Sequence, residues 1–450
     1  MPLGLCAGVC SLSAAVHAQA PPPNVSQLVL DPGDERHLAL RSNFGLLVSR
    51  DAGITWDFRC KAGMGYRGRA EPALTILNGG ELVLGHADGV STGDAAGCEF
   101  RPASGITANV VDLVALPNTP GAAFAVSVSY PDSSSQLWKS QDHARSFSAL
   151  GAVLPRFTAL SLASPAALPE RVYMTGLVWR ETVSGAFARS DDGGKTFTIA
   201  ALPDSDSGTQ PFLAALDPKR PDTLYLRFTG LPGRLRVSDD GGRTFRTVLS
   251  MPGPLQGVAV SPNGEQILAS SLEAGAYVAN ASTLSFERIA CEGLPCLAWD
   301  SRGLLGCGER GRHGFIVGRS LDQGRSYTPL LDTPCLAPAA CAASSSVGAK
   351  CAGEWPAVAE RIGQSGKKCE PSTPSKPFSR ACFASAVSAP SASPRATSPT
   401  RRRASGCGCE LAKSARSEPR PLSGLWPLFG LNLGAALRRR ARARSRARLA

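Results

Sequence analysis

From residue 27 to residue 331 the chain is written as short apolar runs, some alternating with polar positions, each closed by Gly, Pro, Asp or Asn. Residues 212–216, 223–228, 234–238 and 245–249 form one such set, broken at Asp217-Pro218, at residues 230–233 and at a Ser-Asp-Asp-Gly-Gly-Arg-Thr-Phe phrase. Runs of this length between turn-forming residues predict strands. The same layout recurs at 27–30, 37–41, 46–50 and 56–60, and again at 296–300, 304–307, 315–320 and 327–331. Four short strands per set, with a complete set at each end, predict that no set borrows a strand from the opposite terminus.

The phrase itself repeats. Asp51, Gly53 and Trp56, then Asp192, Gly194 and Phe197, then Asp240, Gly242 and Phe245, then Asp322, Gly324 and Tyr327 occupy the same places in S-x-D-x-G-x-[T/S]-aromatic. Degenerate copies stand at 92–100, with one extra residue, at 140–147, where Ala144 replaces Gly, and at 279–286, which lacks the Asp. The seven closing aromatics, Trp56, Phe100, Phe147, Phe197, Phe245, Phe286 and Tyr327, lie 41 to 50 residues apart. That period is the length of a four-stranded propeller blade. The fold class expected is all-β, a seven-bladed propeller of four-stranded antiparallel blades over 24–333.

The phrase resembles the Asp box, or BNR repeat, of sialidases and other β-propellers. Its chemistry explains its composition: a carboxylate accepts turn amides, Gly takes positive φ, and the aromatic ring buries itself in the sheet. These residues are therefore expected to be structural, with the aromatics buried and no catalytic role for the Asp side chains. Resemblance to sialidases would imply an Arg-Ile-Pro phrase, an Arg triad and a Tyr nucleophile. No Arg-Ile-Pro occurs, and Tyr66 beside Arg67, Arg69 and Glu71 is the one cluster of suitable chemistry, expected to be a solvated loop. Xyloglucanase-type enzymes use two facing propellers, where this chain has one. Asp204 and Asp206 open a faint calcium-loop pattern that fails at Ala215, where a Glu is required. No metal or cofactor is expected.

Composition alters the picture at the two ends. The chain has 450 residues and a net charge of +12, but residues 395–450 alone carry 14 Lys and Arg against Glu410 and Glu418, which accounts for all of it. The folded part is neutral, so nucleic acid is excluded as an expected partner. Residues 1–20, apolar and ending Ala18-Gln19-Ala20, read as a signal peptide. The ten Cys between Cys60 and Cys382 fit an exported, disulfide-bonded protein. Cys60 and Cys98 are expected to pair with each other, being alone between the signal and residue 290, while the other eight are left unassigned.

Residues 334–383 read as a small Cys-rich appendage with a weakly helical stretch at 346–362 interrupted by Pro356, and 384–405 as a disordered linker. At 406–450, Cys407 and Cys409 precede an apolar run (422–437) and seven Arg at 438–448. This order resembles the MYXO-CTERM sorting signal of myxobacterial surface proteins, which would imply a sorting protease as partner and attachment to the cell surface or outer membrane. The run is shorter than the ~20 residues a spanning helix needs. Taken together the sequence suggests a monomeric, noncatalytic surface propeller whose loops bind a protein or glycan, with a secreted glycosidase or lyase as the alternative.

Overall fold

In the computed structural model, residues 24–66, 70–116 and 118–364 are described. Their strands form seven four-stranded antiparallel sheets, at 25–59, 73–102, 109–154, 157–201, 211–251, 257–290 and 296–331. Each sheet takes its strands from consecutive chain, and none contains a strand from elsewhere. The protein is thus a seven-bladed β-propeller. The expected strands are present to within a residue or two, from Val25–Leu30 in blade one to Thr328–Leu331 in blade seven.

The first strand of every blade lies innermost and packs against the first strands of its neighbours, with Cys296–Asp300 of blade seven beside Val25–Leu30 of blade one. Closure is therefore by packing, as the complete end repeats imply. At the seam the Glu35 carboxylate accepts the Ser301 amide at 3.1 Å, and Arg302 donates to the Glu35 carbonyl while pairing with buried Asp300 at 3.0 Å.

The chain after blade seven clamps this seam. The Ala337 carbonyl accepts from Phe58 N–H and its amide donates to Trp56, both at 3.0 Å, extending blade one beyond its outer strand. Two helices follow, Ser346–Cys351 and Trp355–Arg361. Pro356 opens the second helix at a position where no backbone N–H is required, rather than interrupting one long helix. Leu336, Val347, Cys351 and Ile362 share one apolar cluster with Leu38 and Phe58 of blade one, Leu74 of blade two, and Leu305 and Val317 of blade seven.

The cysteine expectation is corrected here. Cys60 bonds Cys351 and Cys98 bonds Cys341, with Cα atoms 5.3 and 5.4 Å apart. Cys60 directly follows the outer strand of blade one and Cys98 sits in a turn of blade two, so each meets the returning appendage and not the other. Cys296 bonds Cys307 across adjacent strands of blade seven, and Cys291 and Cys335 are also disulfide-bonded. Bonds of this kind belong to a protein that folds in an oxidising, extracellular-type compartment. No described helix is long and apolar enough to cross a membrane. The expected signal peptide, linker, Cys407, Cys409, apolar run and Arg cluster fall outside the described residues.

Candidate functional site

The chain direction gives the ring two unlike ends. Turns between first and second strands and between third and fourth strands lie at one end, here the lower; turns between second and third strands and the connectors between blades lie at the upper end.

The repeated phrase makes the lower turns. Asp51 Oδ1 accepts the Thr55 amide at 2.8 Å and the Ser49 hydroxyl at 2.9 Å, its Oδ2 accepts the Thr55 hydroxyl at 2.6 Å, and Ser49 Oγ accepts the Gly53 amide at 2.9 Å. Asp192, Asp240 and Asp322 repeat this set with Thr196, Thr244 and Ser326. Burial raises the Asp240 carboxyl, but the hydroxyl and amide of Thr244 outweigh it and bring it down to about 2. The fourth and fifth places of the phrase have positive φ, 70° and 89° at Ala52 and Gly53, 70° and 84° at Gly241 and Gly242. Ala144 satisfies the degenerate copy with a φ of 57°, within the left-handed region an L residue reaches. Trp56, Phe100, Phe147 and Tyr327 are buried, whereas Phe197, Phe245 and Phe286 are only half-buried, which corrects the expectation for those three. Phe245 shows why: it leans edge-on against Phe187 of the preceding blade, 5.1 Å between ring centres, and leaves its other side to solvent.

A lower groove of about 540 Å³ lies between blades five and six, lined in part by Lys219, Arg220, Asp222, Asp239 and Arg246. Its charges are mostly spent internally, Arg220 on Asp217 at 2.7 Å, Arg246 on Asp239 at 3.0 Å and Asp222 on Arg171 at 2.8 Å.

At the upper end, blades one to three gather the ionisable groups that bear on chemistry. Arg41 donates to Ser26 Oγ at 3.0 Å and to the Pro72 carbonyl at 2.8 Å, and pairs with Glu71 at 3.2 Å; the Ser26 hydroxyl donates to the same Glu71 carboxylate. Tyr66 is buried, stacked on His86 with ring centres 5.8 Å apart, where a solvated loop was expected. Its phenol is pushed well up by burial and by the nearby Glu71 charge, opposite to what a nucleophile needs. Arg67 and Arg69 lie outside the described residues. Asp112, on the inner strand of blade three, accepts its neighbour's amide at Leu113 and the Leu162 amide of blade four, at 2.9 and 2.8 Å. Burial outweighs those bonds and raises its carboxyl to about 6.

Neither Arg41 nor Asp112 carries a sequence signal, since each is the one charged residue of a largely apolar strand. Asp206 accepts the Gly208 and Thr209 amides at 2.8 Å, and Asp204 pairs with Arg236 at 3.3 Å; among the described residues no cluster of His, Cys, Asp and Glu could hold a metal ion. Two large apolar side chains stand out at the upper tips, Tyr130 in blade three and Leu231 in blade five.

No protein-family profile and no curated protein matches the sequence. Solved structures do match. An ancestral GH74 enzyme is similar at 14% identity and a TM-score of 0.38, over 68% of this chain and 36% of that one. The extracellular domain of BT4673 from B. thetaiotaomicron is similar at 14% identity and a TM-score of 0.44, over 61% and 35%. The GH74 xyloglucanase from Xanthomonas campestris is similar at 15% identity and a TM-score of 0.26, over 67% and 55%. This chain thus spans between about a third and just over half of those neighbours.

Proposed function

We propose that the chain is an exported, surface-anchored Asp-box propeller that binds a protein or glycan at the upper end of its ring without turning it over. The observation that carries this is how the upper groups are employed. At that end Glu71 is held by Ser26 and Arg41, Tyr66 is buried against His86, and Tyr130 and Leu231 project apolar surface, while the phrase carboxylates at the opposite end are consumed in turns. Exposed apolar tips rimmed by charge suit recognition. Anchoring through residues 406–450, by a sorting protease acting near Cys407 and Cys409, belongs to the same proposal.

Asp112 favours a second reading. A recessed carboxyl raised to about 6 is suited to general acid work, as a glycosidase requires. The two are separated by incubating the secreted protein with a panel of sialosides and microbial and plant glucans, and by screening the same panel for binding. Retention without turnover supports the binding reading. Turnover that Asp112→Asn abolishes would replace it with the glycosidase reading.

A further inference from the structure

Blade five holds an arginine for which the fold provides no acceptor. Arg227 is one residue from the upper end of the second strand, Leu224–Phe228, and lies across from Phe212 on the inner strand, Pro211–Leu216, with its guanidinium 4.6 Å from the centre of that ring. Leu224, Leu226 and Phe228 pack with blade-four residues, so alternation turns Arg227 to the face toward blade six. Among the described residues its guanidinium makes neither a hydrogen bond nor an ion pair, and the aromatic ring is its one partner. Other recessed arginines are provided for: Arg59 donates to three carbonyls, Arg189 pairs with Asp191, and Arg319 with Asp300. Burial lowers Arg227 to about 10, which leaves it cationic at neutral pH.

The turn beyond Arg227 adds apolar surface. Leu231, in the turn that follows, is 65% exposed. Arg234, on the strand after the turn and on the opposite face of the blade from Arg227, is already engaged: it donates to the Asp204 carbonyl at 2.7 Å, lies 5.3 Å from the Phe228 ring centre and is near enough to the Asp206 carboxylate to help lower its pKa. One guanidinium without an acceptor, backed by an aromatic ring, thus stands beside the turn that carries an exposed aliphatic tip.

We propose that this upper end of blade five docks a protein segment carrying an Asp or Glu carboxylate beside an apolar side chain. The proposal rests on reading the upper end as a binding face and names what it takes. A guanidinium fork held over a ring accepts a planar carboxylate through two parallel N–H bonds, and partial burial strengthens the attraction. An acidic glycan fits less well, because sugars stack on flat aromatic faces, and here the guanidinium lies over Phe212 while Leu231 offers no such face.

A phage-displayed random peptide library panned on the full chain tests this, with the enriched peptides and fluorescein-labelled oligogalacturonate titrated by fluorescence anisotropy. Enriched peptides should pair Asp or Glu with a large apolar residue and bind more weakly as salt is raised. Arg227→Gln and Leu231→Ser should each weaken them, Arg227→Gln by about tenfold or more, with Arg227→Lys in between. The Arg227→Gln variant should keep an unfolding midpoint close to that of the wild type, since the contact with the Phe212 ring is all that is lost inside the protein. Enriched peptides without acidic residues, peptides that bind Arg227→Gln at wild-type strength, or retention of the oligogalacturonate in place of peptides would each overturn the proposal while leaving the binding face standing. Failure of the wild-type chain to retain any peptide or glycan would overturn both.

Discussion

Gly242 of blade five lies flush against the ring of Phe187 in blade four: a Cβ at 242 would fall 2.0 Å from the nearest ring carbon. Gly194 meets Leu137 of blade three and Gly324 meets Leu268 of blade six in the same way. Gly53 of blade one meets Leu330 of blade seven, so the ring closes with the contact that joins its other blades. The phrase glycine therefore answers two demands, a positive φ in the turn and flat contact with the preceding blade.

Those two demands can be separated by mutation. Gly193 has a φ of 76° and open space where its Cβ would be, whereas Gly242 has a φ of 84° and the Phe187 ring. Gly193→Ala should cost about 1 kcal/mol through left-handed strain alone. Gly242→Ala should cost about 2 to 4 kcal/mol, strain plus overpacking. Equilibrium denaturant unfolding of both variants checks the difference, and equal losses would show that the inter-blade contact contributes nothing.

For Asp240, replacement by Ala removes the acceptor of the Arg243 and Thr244 amides and of the Thr244 and Ser238 hydroxyls. The turn is open to water, so the loss should be about 1 kcal/mol, below that of a buried network. The carboxyl is lowered in the folded protein to about 2, so its stabilisation is complete above an unfolded value near 4 and is lost as the pH falls through about 2. The stability difference between wild type and Asp240→Asn, measured from pH 7 down to pH 2, should stay level above about pH 4 and shrink below it. Ligand binding at the upper end should be unaffected.

Much of this was legible in the sequence because the signals were local. Period-two runs and a turn phrase with its own hydrogen-bonding logic report on ten residues at a time, and they give seven blades with their boundaries. The bond from Cys60 to Cys351 is not local: it depends on where the chain after blade seven returns, and counting cysteines along the first blades pointed to Cys98 instead. Arg227 was hidden for a related reason. In Leu-Tyr-Leu-Arg-Phe it reads as a solvated residue of an ordinary strand, and only packing reveals that no carboxylate comes near it. The half-burial of Phe245 likewise follows from its edge-on contact with Phe187 of the neighbouring blade, which the phrase does not encode.

The disulfide clasp supplies the last prediction. The main chain joins the appendage to blade seven, while Cys351 and Cys341 join it to blades one and two, so the seam between first and last blades is bridged covalently as well as by packing. Crosslinks across 291 and 243 residues restrict the unfolded chain far more than the bond between Cys296 and Cys307, separated by 11. Replacing Cys60, Cys351, Cys98 and Cys341 together by Ser leaves no lone thiol at the seam and should lower stability by about 2 to 5 kcal/mol per bond, with the β-sheet circular dichroism retained at low temperature. Amide exchange should rise at Ser301 and Ala337, whose hydrogen bonds join blade one to blade seven and to the appendage, and limited proteolysis should cut first within 334–364. Replacing Cys296 and Cys307 should lower stability less and leave Ser301 exchange as it was. Unchanged exchange at Ser301 in the fourfold variant would mean that packing alone holds the ring closed.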